Sequence, residues 1–298
     1  MKHLKKVFIF LFAALMASCS SEDADAVNDG TTPITGADNF TYKIDGRTVA
    51  INNTIAQRSG STIAVAGYAA DGTAIAVEFN EFGNLKDITA YSISNFDVPT
   101  RSEYHYFKSN YINFELVAID ATAKKVKVTF SGKVYDEEYD LTSDYSTVEG
   151  SFQVTYRDVV PEVAGLGVFA KINNENWYTT DITQSGGFFP GSDITLNESN
   201  DSKYTIGIIT NHDNSTVGTH SFGPAVSSNK VILSEYNTTT HEDVEYTSTT
   251  GTIKITAKTT NILYTIIEGT FSLTARHPTN GTTVTVTDGT FKSVYTNY

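Results

Sequence analysis

The sequence predicts an all-β protein, made of two tandem antiparallel β-sandwich-like domains, and three observations carry that prediction. The first is alternation: Ile75, Val77 and Phe79 share one strand face, as do Val126, Val128 and Phe130, and Tyr204, Ile206 and Ile208. Period two with β-branched and aromatic residues marks half-buried strands. The second is punctuation. Asp45-Gly46, Asp71-Gly72, Asn280-Gly281 and Asp288-Gly289 supply the positive φ that tight hairpins need. The third is repetition. Val148-Glu149-Gly150-Ser151-Phe152 returns as Ile267-Glu268-Gly269-Thr270-Phe271, and eighteen residues before each glycine stands another, Gly132 and Gly251. Matched spacing of this kind indicates a duplicated unit. No stretch holds a helical period for three turns. Small β-barrels are the alternative architecture, because sheet closure is not written in strand patterns.

Taken in order, residues 1–18 read as a signal peptide. Lys2, Lys5 and Lys6 precede the apolar run Val7 to Ala17, which is too short to span a bilayer. The single cysteine of the chain follows at once, as Met16-Ala17-Ser18-Cys19. This segment resembles the lipobox of bacterial lipoproteins, with Met where Leu, Val or Ile is usual. The resemblance implies acylation of Cys19 and its becoming the first mature residue. Residues 19–37 form an acidic, small-residue tether with too little apolar area to fold. Ser20-Ser21-Glu22-Asp23-Ala24-Asp25 within it resembles the surface-export signal of Bacteroidota lipoproteins. That implies an outer-membrane address facing the cell exterior; a periplasmic tether is the other reading.

The net charge is −13, and −16 once the three lysines of residues 1–18 are removed. Such a body repels phosphate, which excludes nucleic acid as a partner and leaves no basic patch for anionic headgroups. Membrane attachment must therefore rest on the lipid at Cys19. With one cysteine there is no internal disulfide, so each domain depends on its own core.

Residues 38–157 form the first β-domain, 158–165 the linker and 166–298 the second. Lys43-Ile44 matches Lys171-Ile172 at an offset of 128, and Ser92-Ile93 matches Ser221-Phe222 at 129. By Ile112 and Val231 the offset is 119, so the first copy carries ten extra residues between Ile93 and Ile112. The second copy ends in a further expected hairpin, Thr282–Thr287 and Gly289–Tyr295. Phe169-Ala170-Lys171-Ile172-Asn173, Val217 to Phe222 and Ile267 to Phe271 together resemble an uncharacterised β-domain of Bacteroidota lipoproteins. The resemblance implies the domain and no activity. In the closing strands, Val148, Phe152 and Val154 point one way, as do Ile267, Phe271 and Leu273. The intervening glycine is expected to mark a bulge or a close strand crossing. The recurring Lys43, Lys171, Glu149 and Glu268 suggest that each Lys approaches the Glu of its own copy.

Enzyme signatures are missing: there is no Gly-rich phosphate loop, nucleophile elbow or mature cysteine nucleophile. The expectation is a non-enzyme with no cofactor and no metal. His212-Asp213 and His241-Glu242-Asp243 lack paired-ligand spacing and read as solvated turns. Asp136, Glu137, Glu138 and Asp140 read as an exposed turn rather than a hydrolytic carboxylate pair. Asn197-Glu198-Ser199-Asn200-Asp201 offers oxygens but not the order of a calcium loop.

The aromatic segment is the candidate contact site. Tyr104, Tyr106, Phe107 and Tyr111 fall within eight residues of the first copy's insertion. Exposed rings of this kind hold sugars or protein partners. Equally, Tyr104, Phe107 and Tyr111 stand at i, i+3 and i+7, so one short helical turn could press them onto the sheet. The sequence thus points to a lipid-anchored, non-catalytic binding or adhesion module, with a glycan-binding accessory lipoprotein as the runner-up and a surface hydrolase third.

Overall fold

The computed structural model describes residues 33–187, 191–211, 215–225 and 227–297. Residues 1–18, Cys19, the tether through residue 32 and His212-Asp213 lie outside the described residues. The rest is strand and turn; the 3-10 turn Lys108–Asn110 is the one helical element among the described residues.

The first unit contains β1 (Asn39–Ile44), β2 (Arg47–Val49), β3 (Ile51–Ser59), β4 (Thr62–Ala69), β5 (Thr73–Asn80), β6 (Leu85–Ser92), β7 (Arg101–Ser102), β8 (Ile112–Asp120), β9 (Lys125–Tyr135), β10 (Tyr145–Thr155) and β11 (Arg157–Val159). They form one eleven-stranded sheet in the order β11-β3-β4-β5-β6-β7-β9-β10-β1-β2, with β8 beside β9. The two-residue β7 joins what would otherwise be the two layers of a sandwich, pairing with β6 on one side and β9 on the other. The unit is therefore a curled sheet, intermediate between sandwich and barrel. Ile75, Val77 and Phe79 of β5 and Val126, Val128 and Phe130 of β9 fill its core. Two details depart from expectation. Asp158 and Val159, placed at the start of the linker, belong to strand β11 (Arg157–Val159), and it pairs with β3 in parallel.

The second unit is two sheets around one core. β12 (Gly167–Ile172), β13 (Glu175–Tyr178), β17 (Gly218–Phe222), β20 (Thr247–Thr260), β21 (Tyr264–Arg276) and β22 (Thr283–Thr296) lie in the order β13-β12-β22-β21-β20-β17. β14 (Asp181–Gly186), β15 (Asp193–Ser199), β16 (Tyr204–Asn211), β18 (Lys230–Asn237) and β19 (Glu242–Glu245) form the other sheet in that order. Ile194, Leu196, Ile206 and Ile208 of one sheet meet Ile267, Phe271, Val286 and Phe291 of the other. Phe152 and Phe271 are both buried, one in each unit.

The expected final hairpin is not there. Asp288-Gly289 sits inside the single strand β22, where the register slips against both β21 and β12. Asp288 takes the positive φ, 53°, of a bulge. Asp45-Gly46, with φ of 50° and 75°, does turn a hairpin between β1 and β2. A left-handed Asp before Gly serves both uses, and only the pairing partners separate them.

The strands that carry the two Glu-Gly segments have different neighbours. In the first unit β1 pairs with β10, whereas in the second β12 pairs with β22 and β21 stands one strand further away. The expected Lys–Glu pairing therefore holds only once. Lys43 Nζ lies 3.2 Å from Glu149, but Lys171 bridges to Asp288 at 2.8 Å and Glu268 to Lys292 at 3.1 Å. The segment Asp288-Gly289-Thr290-Phe291 is a third acidic-Gly-Ser/Thr-Phe motif, and its strand lies beside β12 as that of Glu149-Gly150-Ser151-Phe152 lies beside β1.

The glycines of this motif are ring seats. A Cβ on Gly150 would strike the Phe130 ring, which stands opposite it on β9. On β21 and β22 the arrangement is reciprocal: Gly269 faces Phe291, and Gly289 faces Phe271. A Cβ on either glycine would lie 2.6–2.7 Å from the opposing ring. An aromatic ring laid across a cross-strand glycine replaces the side-chain packing that glycine lacks.

Candidate functional site

Four stretches that the sequence offers separately meet at one seam between the units. Residues 101–111 leave β7 and run over the sheet edge to β8. Their path is held by the buried Glu103, whose Oε2 accepts the Ile88 amide at 2.7 Å, while Lys108 Nζ stands 3.7 Å from Oε1. Both side chains are almost fully buried. Burial and the neighbouring Asp87 push the Glu103 carboxyl well up; Lys108 pulls the other way. The 3-10 turn Lys108–Asn110 follows, as the i, i+3, i+7 spacing suggested, and Phe107 takes a left-handed conformation at φ 46° to enter it.

The turn delivers this segment to the second unit. The Ser109 amide donates to the Asp201 carbonyl at 2.9 Å. The Asp201 carboxylate in turn accepts Asn84 Nδ2 at 2.9 Å and the Leu85 amide at 3.1 Å, and its burial raises its pKa. Phe82, in the β5–β6 turn, stacks on Tyr178 with centroids 3.8 Å apart and planes 9° apart. Asp201, the last residue of the 197–201 stretch, thus serves as a contact between the units. Among the described residues no group of three acidic, His or Cys side chains is placed to hold a metal.

The aromatic residues pack around Tyr236 of β18. Tyr104 is 3% exposed and its hydroxyl meets the Tyr236 hydroxyl at 2.6 Å. The Tyr106 ring stacks on Tyr236 at 4.9 Å and 5°, and Tyr111 packs edge-on against Tyr104. Tyr236 also contacts His241 Nδ1 at 3.1 Å. The exposure expected of a ligand platform is thus not met at Tyr104, and Tyr106, Phe107 and Tyr111 are half-buried. The rings had a second unit to cover, and burying them there removes apolar area from water.

The acidic run supplies the outer rim. The His105 amide donates to the Glu138 carbonyl at 2.8 Å, and Tyr139 lies against His105 and Tyr106 at 4.8 and 5.8 Å. Tyr139 is 56% exposed. Asp136 is paired with Arg101 at 2.5 Å and Asp140 caps the Thr142 amide at 2.8 Å, so those carboxylates are structural. Beside the seam a cleft of about 250 Å³ opens between Ser61, Thr62 and Lys86 of the first unit and Thr179 and Asp181 of the second. Behind Thr179 sits Glu198, fully buried, accepting from Ser293 Oγ at 2.6 Å and Thr179 Oγ1 at 3.0 Å. Burial pushes its pKa up to about 7.

Tyr139, Tyr236, Glu103 and Phe82 are seam residues that sequence reasoning missed. Tyr139 was visible inside the acidic run. Tyr236 alternates on an ordinary strand and gave no signal.

The class these observations define is an all-β protein of two units, antiparallel but for the β11–β3 pair, joined by a polar and aromatic seam. A family model described as a domain of unknown function (DUF6252) matches residues 167–295, which is the second unit from the first residue of β12 to within one residue of the end of β22. No curated protein and no solved structure matches the chain.

Proposed function

We propose that the protein is a lipid-anchored, non-catalytic binding or adhesion module of the outer membrane, acylated at Cys19 and displayed on the cell exterior. The observation that carries the binding reading is the seam. Tyr139 and the outer edges of His105 and Tyr106 stay at the surface, on a base fixed by the Tyr104–Tyr236 contact. Flat rings on a rigid base lose little side-chain entropy on contact, which suits a sugar or a peptide surface. Arg101, Thr142, Asn84, Ser293 and Thr179 hold the carboxylates of Asp136, Asp140, Asp201 and Glu198, which favours contact over acid–base chemistry at those four. The anchor reading is supported by the basic head, the apolar run and the placement of the single cysteine.

The two units are proposed to be copies of one domain, with β10 corresponding to β22. The correspondence is supported by the acidic residue before each glycine, the bridge to Lys43 or Lys171, and the Tyr six residues after the glycine, Tyr156 and Tyr295, both buried.

Two experiments test the proposal. Clickable palmitate should label the wild type and not Cys19→Ala; equal labelling defeats the anchor. Tyr139→Ala should abolish retention on whichever glycan or matrix protein an array identifies while leaving the melting temperature unchanged. Undiminished binding by that variant removes the seam from consideration.

A further inference from the structure

The β20–β21 hairpin ends in two aliphatic side chains that nothing covers. Ile262 is 93% exposed and Leu263 70%. Single exposed apolar residues are ordinary, but an adjacent pair on a rigid tip is not explained by packing. The tip is firmly built. Asn261 Oδ1 accepts both the Leu263 and Tyr264 amides at 2.8 Å, and the Asn261 amide donates to the Tyr264 carbonyl at 2.9 Å. The chain end ties it from the side: the Asn297 amide donates to the Leu263 carbonyl at 2.9 Å, and Asn297 Nδ2 to the Asn261 carbonyl at 2.7 Å. Asn297 is itself held by Thr265 Oγ1 at 2.9 Å.

We infer that this tip is a membrane-contacting finger, with Ile262 and Leu263 entering the lipid surface when the anchor holds the protein there. The inference rests on the anchor reading above and adds a second contact to it. Charge selects the occupant. The chain carries a net charge of −13, yet no Asp or Glu occurs between Glu245 and Glu268, while Lys254 and Lys258 do. The hairpin is thus a part of an acidic body that can approach a bilayer with little repulsion. Behind the aliphatic pair stands the half-buried Tyr264, the residue type that settles at the headgroup level, and the asparagines form a polar collar there. The other conspicuous apolar loop lacks this character: Phe96 is 88% exposed, but Asp97 follows it directly.

The test uses tryptophan in the full-length, membrane-extracted protein. The wild type has one Trp, Trp177, which is buried at 3% exposure and out of reach of lipid. Leu263→Trp and Phe96→Trp each add one at a solvent-exposed position. The proteins are mixed with phosphatidylcholine vesicles, with and without brominated acyl chains, and sedimented. The expected result is that all three pellet, and that brominated lipid quenches Leu263→Trp several-fold more than Phe96→Trp or wild type. Adding Ile262→Ser should reduce that quenching. Pelleting without selective quenching overturns the finger and leaves the anchor standing. Protein that neither pellets nor quenches overturns both.

Discussion

Glu198→Gln tests the energetics of the second unit most directly. The wild-type carboxyl lies between the two sheets, on β15, and among the described residues the Ser293 and Thr179 hydroxyls bond it. Its pKa is displaced from 4.5 to about 7 by burial, so the fold favours the protonated form. A carboxyl with a raised folded pKa contributes its full stability below pH 4.5. That contribution declines as the pH rises from 4.5 to 7 and is constant above. At 1.36 kcal/mol per unit, the decline is about 3 kcal/mol. The amide that replaces the carboxyl cannot ionise, so the variant should lose this decline. Any fixed cost of seating an amide there cancels when one protein is compared with itself across pH. Urea unfolding of both proteins from about pH 4.5 to about pH 8, a range that brackets the shift, measures it. The stability difference, variant minus wild type, should grow by about 3 kcal/mol toward the alkaline end. Parallel pH profiles for the two proteins would refute the argument, because Glu198 would then ionise in the fold without penalty.

The remaining predictions concern the strand seats and the seam. Phe291→Ala should destabilise the second unit by about 3–5 kcal/mol in urea titrations, and Phe152→Ala the first by a similar amount, since each ring fills a core. Gly289→Ala should cost about 1–3 kcal/mol, because the new methyl meets the Phe271 ring and carbonyl; a neutral result would mean that the ring swings aside freely. Tyr104→Phe removes one buried hydroxyl contact and should cost about 1 kcal/mol. The triple change of Tyr104, Tyr106 and Phe107 to Ala should lower the melting temperature by several degrees, as expected of rings that bury a seam.

Much of the fold was legible because strand identity is a local property. The alternation in β5, β9 and β16 reports which face is buried, and the structure buries those faces. The short turn at Lys108–Asn110 was legible for the same reason, since three aromatic positions at helical spacing need only one turn to align. The recurring motif was legible along the chain, but the strand against which each occurrence pairs was not. Three acidic-Gly-Ser/Thr-Phe segments lie in the chain, and although Glu149-Gly150 and Glu268-Gly269 match best in letters, it is the strand of Asp288-Gly289 that pairs with β12 as β10 pairs with β1.

The sequence by itself determined the all-β class, the acidic character of the body and the candidate lipid site at Cys19, because alternation, charge and a basic-apolar-cysteine order are each read along a single stretch of chain. Tertiary structure alone decided the rest. Whether Asp288-Gly289 turns a hairpin or bulges within β22 depends on which strands flank it, and β12 arrives from more than a hundred residues away. Whether Tyr104 meets solvent or Tyr236 depends on how two units dock, and no alternation within either unit records that. Residues 104–111, 136–140, 197–201 and 241 gather at one seam only because long-range pairing brings their loops to the same edge, and contacts between distant segments leave no trace in local pattern.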